Sequence, residues 1–367
     1  MLKIKLTNEM LRLISQIDEN RFSARAAVLP VMTANKLRKN SKKKSAYSSN
    51  RIEGNPLTED QANFAIESDP HRHFLKPEQE IRNYFMALEF LEQCLHEKVD
   101  FTKELILKVQ AMVEKGASKE KIGLRRAMPP GVLFAVYDSE SGNAEYIPPM
   151  YSEVPELLDE LVQYVSTTDD HPLLVAAVVH YQLVTIHPFE DGNGRTARLM
   201  SGYILDKTGY GFGGIGSLEE YFAYDSQEYY RSLQMGLPAL YYEGRHDPPH
   251  PEIWIHYFLR MVALYSKRVC ELSSQSSNED IYAALSHISA KDRTFLKTII
   301  QGHFYEFTPI GIAKTLGISN KTVIYRSKSL CEAGFLLPVL AKERIRSYKL
   351  SEWARNKEKQ ILDALNQ

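Results

Sequence analysis

The chain has 367 residues, 44% of them apolar and 25% charged, with a formal net charge of -1. That is the make-up of an ordinary globular protein of two or three domains, and it excludes a disordered, fibrous or uniformly polyionic chain. The charge is uneven, however: residues 281–367 carry 14 Lys+Arg against 7 Asp+Glu, which leaves 31 against 39 for the remainder.

A basic C-terminal module on an acidic body points to a polyanion partner, with a merely soluble basic surface as the alternative. Cys94, Cys270 and Cys331 are far apart and odd in number. This argues against a disulfide framework or a zinc site and fits a cytoplasmic protein. "MLKIKLTNEMLRLI" lacks the apolar core of a signal peptide, and the longest apolar run, Leu173–Val179, is too short to span a bilayer, so no membrane partner is expected.

Residues up to about 75 read as helix and polar linker, with the lysine cluster of "NKLRKNSKKKSAYSSN" forming a solvated face. "KPEQEIRNYFMALEFLEQCL" has Pro77 near a helix start and Ile81, Phe85, Leu88 and Leu91 at helical spacing; "FTKELILKVQAMVEK" is a further helix. "VLFAVY", the turn residues Ser139–Asn143 and "AEYIPP" predict a hairpin of Val132–Tyr137 against Ala144–Ile147, whose free edges could dock another chain. "EVPELLDELVQYV" is amphipathic, whereas "HPLLVAAVVHYQLVTI" is apolar nearly all round and so predicts the buried central helix of a bundle. "TARLMSGYILDKT", "SLEEYFAYDSQEYYRSLQM" and "PEIWIHYFLRMVALYSKRVCEL" are helices, and "SSQSSNED" (Ser273–Asp280) reads as a linker. Beyond it come three short helices and two strands. "IAKTLGISNKTVIYRSKSL" has helix-turn-helix spacing, and "LLPVLAKERIRSYKL" reads as a wing.

The densest stretch is "IHPFEDGNGRTARLM". Pro188 predicts an extended His187, Phe189 anchors the loop, and Gly192-Asn193-Gly194 leaves amides bare where a helix resumes at about Arg195. Such amides form an anion site, and Arg195 and Arg198, three apart, project from neighbouring positions on one helix face. Two guanidiniums beside an amide nest suit a polyphosphate; Asp191 would repel it unless it holds Mg²⁺. A neutral His187 could take a proton from an incoming hydroxyl. The residues therefore predict phosphoryl or nucleotidyl transfer. Taken singly, each has a plainer reading: a capping His, an ordinary turn, arginines paired with Glu190 and Asp191.

"HPFEDGNGRTAR" resembles the Fic signature HPFx(D/E)GNGRxxR at every defined position. The resemblance extends over about Glu80 to Leu264, including the hairpin where such proteins carry a flap that docks the target. It implies a mainly α fold: a Fic helical bundle with a small hairpin flap, plus a C-terminal winged-helix domain. The expected divisions are 1–78, 79–272 and 281–352. The resemblance further implies transfer of AMP from ATP to a Ser, Thr or Tyr hydroxyl of a protein docked on 132–147, with self-modification. His187 would be the base and Asp191 the Mg²⁺ ligand. Gly192, Asn193, Gly194, Arg195 and Arg198 would hold phosphates, with Arg198 on the γ-phosphate, and Tyr229 or Tyr230 would border the adenine.

"SSNRIEGN" resembles the inhibitory motif (S/T)xxxE(G/N) of the same family, here Ser49 to Glu53-Gly54. It implies that Glu53 pairs with Arg198 and removes it from the γ-phosphate; the plainer reading is an exposed Glu before a helix-ending Gly. Transfer of another phosphate-containing group, removal of AMP, and a nucleotide-sensing DNA-binding regulator stay open as alternatives. The C-terminal module implies DNA through Lys321, Arg326 and Lys328, or a protein-interaction or homodimer role instead.

Overall fold

The computed structural model describes residues 2–26, 29, 31–118, 121–132, 134–137, 144–238, 245, 247–341 and 344–366. They form two compact units, Met1–Arg21 with Leu37–Val269, and Phe22–Lys36 with Cys270–Gln367. No helix among them is long and apolar enough to cross a membrane, and the three cysteines are unpaired.

The chain opens with α1 (Asn8–Ala26) and α2 (Val31–Ile52). The expected linker before Ser48 is therefore corrected: α2 runs through the lysine cluster without a glycine or proline to stop it. Nor is the cluster merely solvated. Lys42 pairs with Glu92 and Glu89, Lys43 with Glu67 and Lys44 with Glu220, and the Lys42 and Lys43 side chains are mostly covered. Thr58 and Gln61 form a capping box on α3 (Glu59–Glu67). Pro77 sits in the first turn of α4 (Lys76–His96), and Thr102 caps α5 (Lys103–Val113).

The hairpin is present but short. β1 (Val136–Tyr137) pairs antiparallel with β2 (Ala144–Tyr146), in the register Val136 to Tyr146 and Tyr137 to Ala144. Its expected turn, 139–143, lies outside the described residues.

After α6 (Val154–Thr167) comes α7 (Pro172–Ile186), whose residues from Leu173 to Tyr181 are all buried, as its lack of a polar face predicts. Burying each of its larger aliphatic side chains contributes roughly 1.5–3 kcal/mol, so this helix fixes the centre of the first unit. α8 (Asn193–Thr208) packs along it. The expected single helix over 217–235 divides into α9 (Glu219–Tyr224) and α10 (Ser226–Gln234), because Asp225 leaves helical geometry and its carboxylate accepts from the Glu228 amide. α11 (Pro251–Ser286) has Trp254 donating to the Ala177 carbonyl at 2.8 Å. The expected linker Ser273–Asp280 is corrected as well: it is helical within α11, whose sequence has no helix breaker after Pro251.

The second unit has its own core around Phe295, Leu296, Val323, Phe335, Tyr348 and Trp353. α12 (Ala290–Gln301) precedes β3 (Glu306–Phe307). α13 (Pro309–Leu316) ends at Gly317 in a left-handed conformation, and Ser319 caps α14 (Asn320–Glu332). β4 (Leu336–Ala341) and β5 (Arg344–Leu350) follow, giving an antiparallel sheet of order β3-β5-β4 before α15 (Glu352–Asn356) and α16 (Glu358–Asn366).

Candidate active site

Residues 187–192 connect the C-terminus of α7 to the N-terminus of α8. His187 is not extended, as its place before Pro188 predicts, but left-handed, with φ 49° and ψ 57°. A non-glycine residue in that region costs about 1–3 kcal/mol and persists only where its surroundings hold it. Here they do. The Arg125 side chain donates to the His187 carbonyl at 2.8 Å, the Arg125 amide donates to the Pro188 carbonyl at 2.9 Å, and Leu124 bridges Phe189. Arg125 also donates to the Pro149 carbonyl and stacks on Phe134, whose ring stands 6.0 Å from the imidazole. Tyr146 of the hairpin donates to the Thr185 carbonyl. The root of the hairpin is thereby tied to the end of α7 beside His187.

His187 Nδ1 lies 3.2 Å from the Val184 carbonyl, which fixes the proton on Nδ1 and leaves Nε2 as the acceptor. Burial is the main cause that lowers this imidazole to about 4; Arg125 also lowers it, while the Val184 bond, Glu53 and Asp191 oppose the shift. The ring is therefore neutral at physiological pH, as a general base must be.

Asn193 closes the loop on itself: its Oδ1 accepts from the Phe189 amide at 3.0 Å and its Nδ2 donates to the Phe189 carbonyl at 2.9 Å. The Asn193 side chain is thus a structural stitch, and only its backbone amide is available to an anion. Gly192 begins α8 at φ 80°, where a Cβ would lie 2.8 Å from Glu114 Oε1. Among the described residues the amides of Asn193, Gly194 and Arg195 have no partner, as the first turn of a helix dictates.

The two arginines turn to different carboxylates. Arg195 donates to Glu114 at 2.9 Å and to Asp191 at 3.2 Å; its Nη1 stands 4.0 Å from Glu80, and its Nε and Nη1 are buried without a hydrogen-bond partner. Arg198 donates to Ser49 Oγ at 2.7 Å, to the Ser49 carbonyl at 3.0 Å and to Glu53 at 2.6 Å. The expectation of two guanidiniums on one hollow is met only in that both leave the first turns of α8. Three residues along a helix turn them apart, and each buried cation takes its own counter-ion. Burial would lower Arg198, but Glu53 outweighs it and keeps the guanidinium firmly charged.

Glu53 reaches this position through the end of α2. Gly54, at φ 79°, donates to the Arg51 carbonyl and Asn55 to the Asn50 carbonyl, a Schellman ending that delivers Glu53 one turn after Ser49. A Cβ on Gly194 would fall 2.3 Å from Glu53 Oε1. The carboxylate therefore lies directly against the start of α8.

Asp191 accepts from Lys121 at 3.2 Å and from the Gly192 amide at 2.8 Å. Burial would raise it, but Arg195 and Lys121 hold it below its usual range. Glu114 is raised to about 7, mainly by burial and further by Asp191 and Glu80, against Arg195 and Lys121. Tyr229, at 1% exposure, lies in the core, its hydroxyl 2.8 Å from His180 and 3.4 Å from Arg198, so it supports the arginine from behind. Tyr230 is half exposed and donates to the Ile52 carbonyl at 3.3 Å. Sequence reasoning missed Glu114 and Arg125. Nothing in their local sequence marks them; only the fold makes one a buried counter-ion and the other a clamp.

Residues 100–205, which include the loop and most of both helices around it, match the Fic/DOC family model. The protein adenylyltransferase Fic of Nematostella vectensis is 30% identical over 216 residues, covering 57% of this chain and 47% of that protein. The Drosophila melanogaster protein of the same name is 28% identical over 217 residues, 54% of this chain and 40% of its own. The chain spans about half the length of the curated relatives it matches. Among solved structures, a Fic family protein from Desulfovibrio desulfuricans G20 superposes with a TM-score of 0.59 at 20% identity, over 96% of this chain and 98% of the other. Fic-1 of C. elegans superposes at 0.53 and 23% identity, over 73% and 71%. These two share the fold.

Proposed function

We propose that the chain is a protein adenylyltransferase restrained by its own Glu53, as the activity named for its Nematostella and Drosophila relatives suggests. The carrying observation is the single loop with a neutral imidazole at one end and bare amides at the other, closed over by the Glu53–Arg198 pair.

In this reading His187 Nε2 accepts the proton of a Ser, Thr or Tyr hydroxyl of a target protein. The hydroxyl oxygen attacks the α-phosphorus of ATP, and the bond to pyrophosphate breaks. The α8 amides of Gly194 and its neighbours, with Arg195 and Arg198, take the phosphate charge. The Nε and Nη1 of Arg195, without a hydrogen-bond partner, suit a polyanion, and the partly exposed Asp191 carboxylate is a hard oxygen donor fit for Mg²⁺. Bound Mg²⁺ supplies charge neutralisation across the phosphates. Tyr230 is the remaining candidate to border the adenine, and the open edges of β1 and β2 would accept an extended target segment. Self-modification and a homodimer belong to the same proposal.

Glu53 opposes the reaction in two ways. It occupies Arg198, and its carboxylate sits where the phosphates would meet Gly194. Replacing it, Glu53→Gly, is expected to raise incorporation of AMP from Mg-ATP on the order of tenfold or more, and His187→Ala in the same background to abolish it. Intact-mass spectrometry after incubation measures both. A Glu53→Gly protein that gains no AMP on itself or on lysate proteins sinks the proposal.

The C-terminal unit supports a second reading, a winged helix for DNA. Lys321, Tyr325 and Lys328 are exposed along one face of α14, and Arg346 is exposed on β5. Arg326 is partly buried and lies over the Phe295 ring at 5.8 Å.

A further inference from the structure

Both helices that meet at Arg198 continue past it. On α8, Arg198, Gly202 and Asp206 recur every four residues and so share a face. On α2, one turn before Ser49, Ser45 donates to Glu219 at 2.7 Å, and two turns earlier still Arg38 donates to the Gly213 carbonyl at 2.8 Å. These stretches of α2 and α8, the leucines of α4 and the glycine-rich segment 211–216 enclose a cavity of about 320 Å³. That is large enough for a small molecule.

Two glycines keep it open. A Cβ on Gly202 would meet nothing within 4 Å, so this residue faces empty space from mid-helix. A Cβ on Gly211 would fall 1.6 Å from Asp206 Oδ1, so its absence makes room for that carboxylate.

Most polar groups of the wall are matched. Lys42 pairs with Glu92; Glu219 accepts from Ser45, Ser217 and Tyr84; the Tyr265 hydroxyl donates to the Gly211 carbonyl. Asp206 is solvent-accessible and lines the cavity, yet among the described residues its carboxylate accepts no hydrogen bond and pairs with no cation. No three acids, histidines or cysteines among the described residues lie close enough to hold a metal ion. One unmatched carboxylate beside a wall of Leu88, Leu91, Leu95 and Phe222 is the complement of an ammonium group on an apolar body.

We infer that this cavity binds a small primary amine with an apolar body, and that its occupant acts on the Glu53–Arg198 contact because α2 and α8 form both. The regulatory half rests on the transfer function proposed above; the binding half does not.

Calorimetric titration of the full chain with hexylamine and with hexanol separates the two. The amine is expected to bind at least about tenfold more tightly than the alcohol, as a charge-assisted bond requires. Asp206→Asn removes that preference, and Gly202→Leu, whose Cβ enters open space, removes binding of both. Equal binding of amine and alcohol, binding of neither, or an amine preference that survives Asp206→Asn overturns the site. In the regulatory arm, hexylamine changes AMP incorporation by the wild type and leaves Glu53→Gly unaffected. An equal effect on both, or none on either while binding persists, overturns the regulation alone. Loss of incorporation from every variant would instead speak against the transfer reading.

Discussion

His187 combines three features that reinforce one another: a left-handed backbone, an Nδ1 proton committed to Val184, and a ring lowered to about 4. The sign of its pH dependence follows. An imidazole whose folded value lies below its unfolded value of about 6.5 contributes stability above 6.5, and that contribution is lost as pH falls toward 4. The NMR resonance missing from His187→Ala is therefore expected to titrate near 4; a midpoint near 6.5 would mean the ring is not enclosed as described. His187, Asp191, Gly194, Arg195 and Arg198 are legible in the sequence because their residue types crowd into twelve positions. Glu114 and Arg125 are not, because a glutamate at the end of α5 and an arginine in a loop acquire their roles only when a distant segment arrives. The backbone of His187 misleads for the same reason: the local preference before proline yields to Arg125 and the α7 cap.

At the scale of elements, the α7–loop–α8 junction is where strain and rigidity meet. Gly192 is required there, since it combines a positive φ with a close approach to Glu114, whereas Gly202 is not, having helical geometry and open space. Gly192→Ala is expected to destabilise by about 1–3 kcal/mol and Gly202→Ala to stabilise by about 0.5–1 kcal/mol. Chemical denaturation of the two variants tests this, and equal effects would contradict the geometry. Helices with a strong apolar pattern, such as α4 and α7, are readable from the sequence alone. α2 and the middle of α11 are not: their serines, lysines and asparagines are nearly neutral in propensity, so a polar stretch looks like linker until ion pairs and an uninterrupted chain make it helix.

Across the whole molecule the net charge of -1 conceals a basic C-terminal stretch and an acidic remainder. If the exposed face of α14 meets phosphates, binding of duplex DNA weakens with salt, and Lys321→Ala with Lys328→Ala lowers the log–log salt slope by about 2. An unchanged slope would leave α14 to a protein partner. The stitch made by Asn193 has a consequence of its own. Because Phe189 and Asn193 knot the turn from within, the dipoles at the head of α8 are aimed while the chain folds, not when a guest arrives. The socket keeps one shape, and under the proposed function Glu53 and an incoming anion would exchange as its plug.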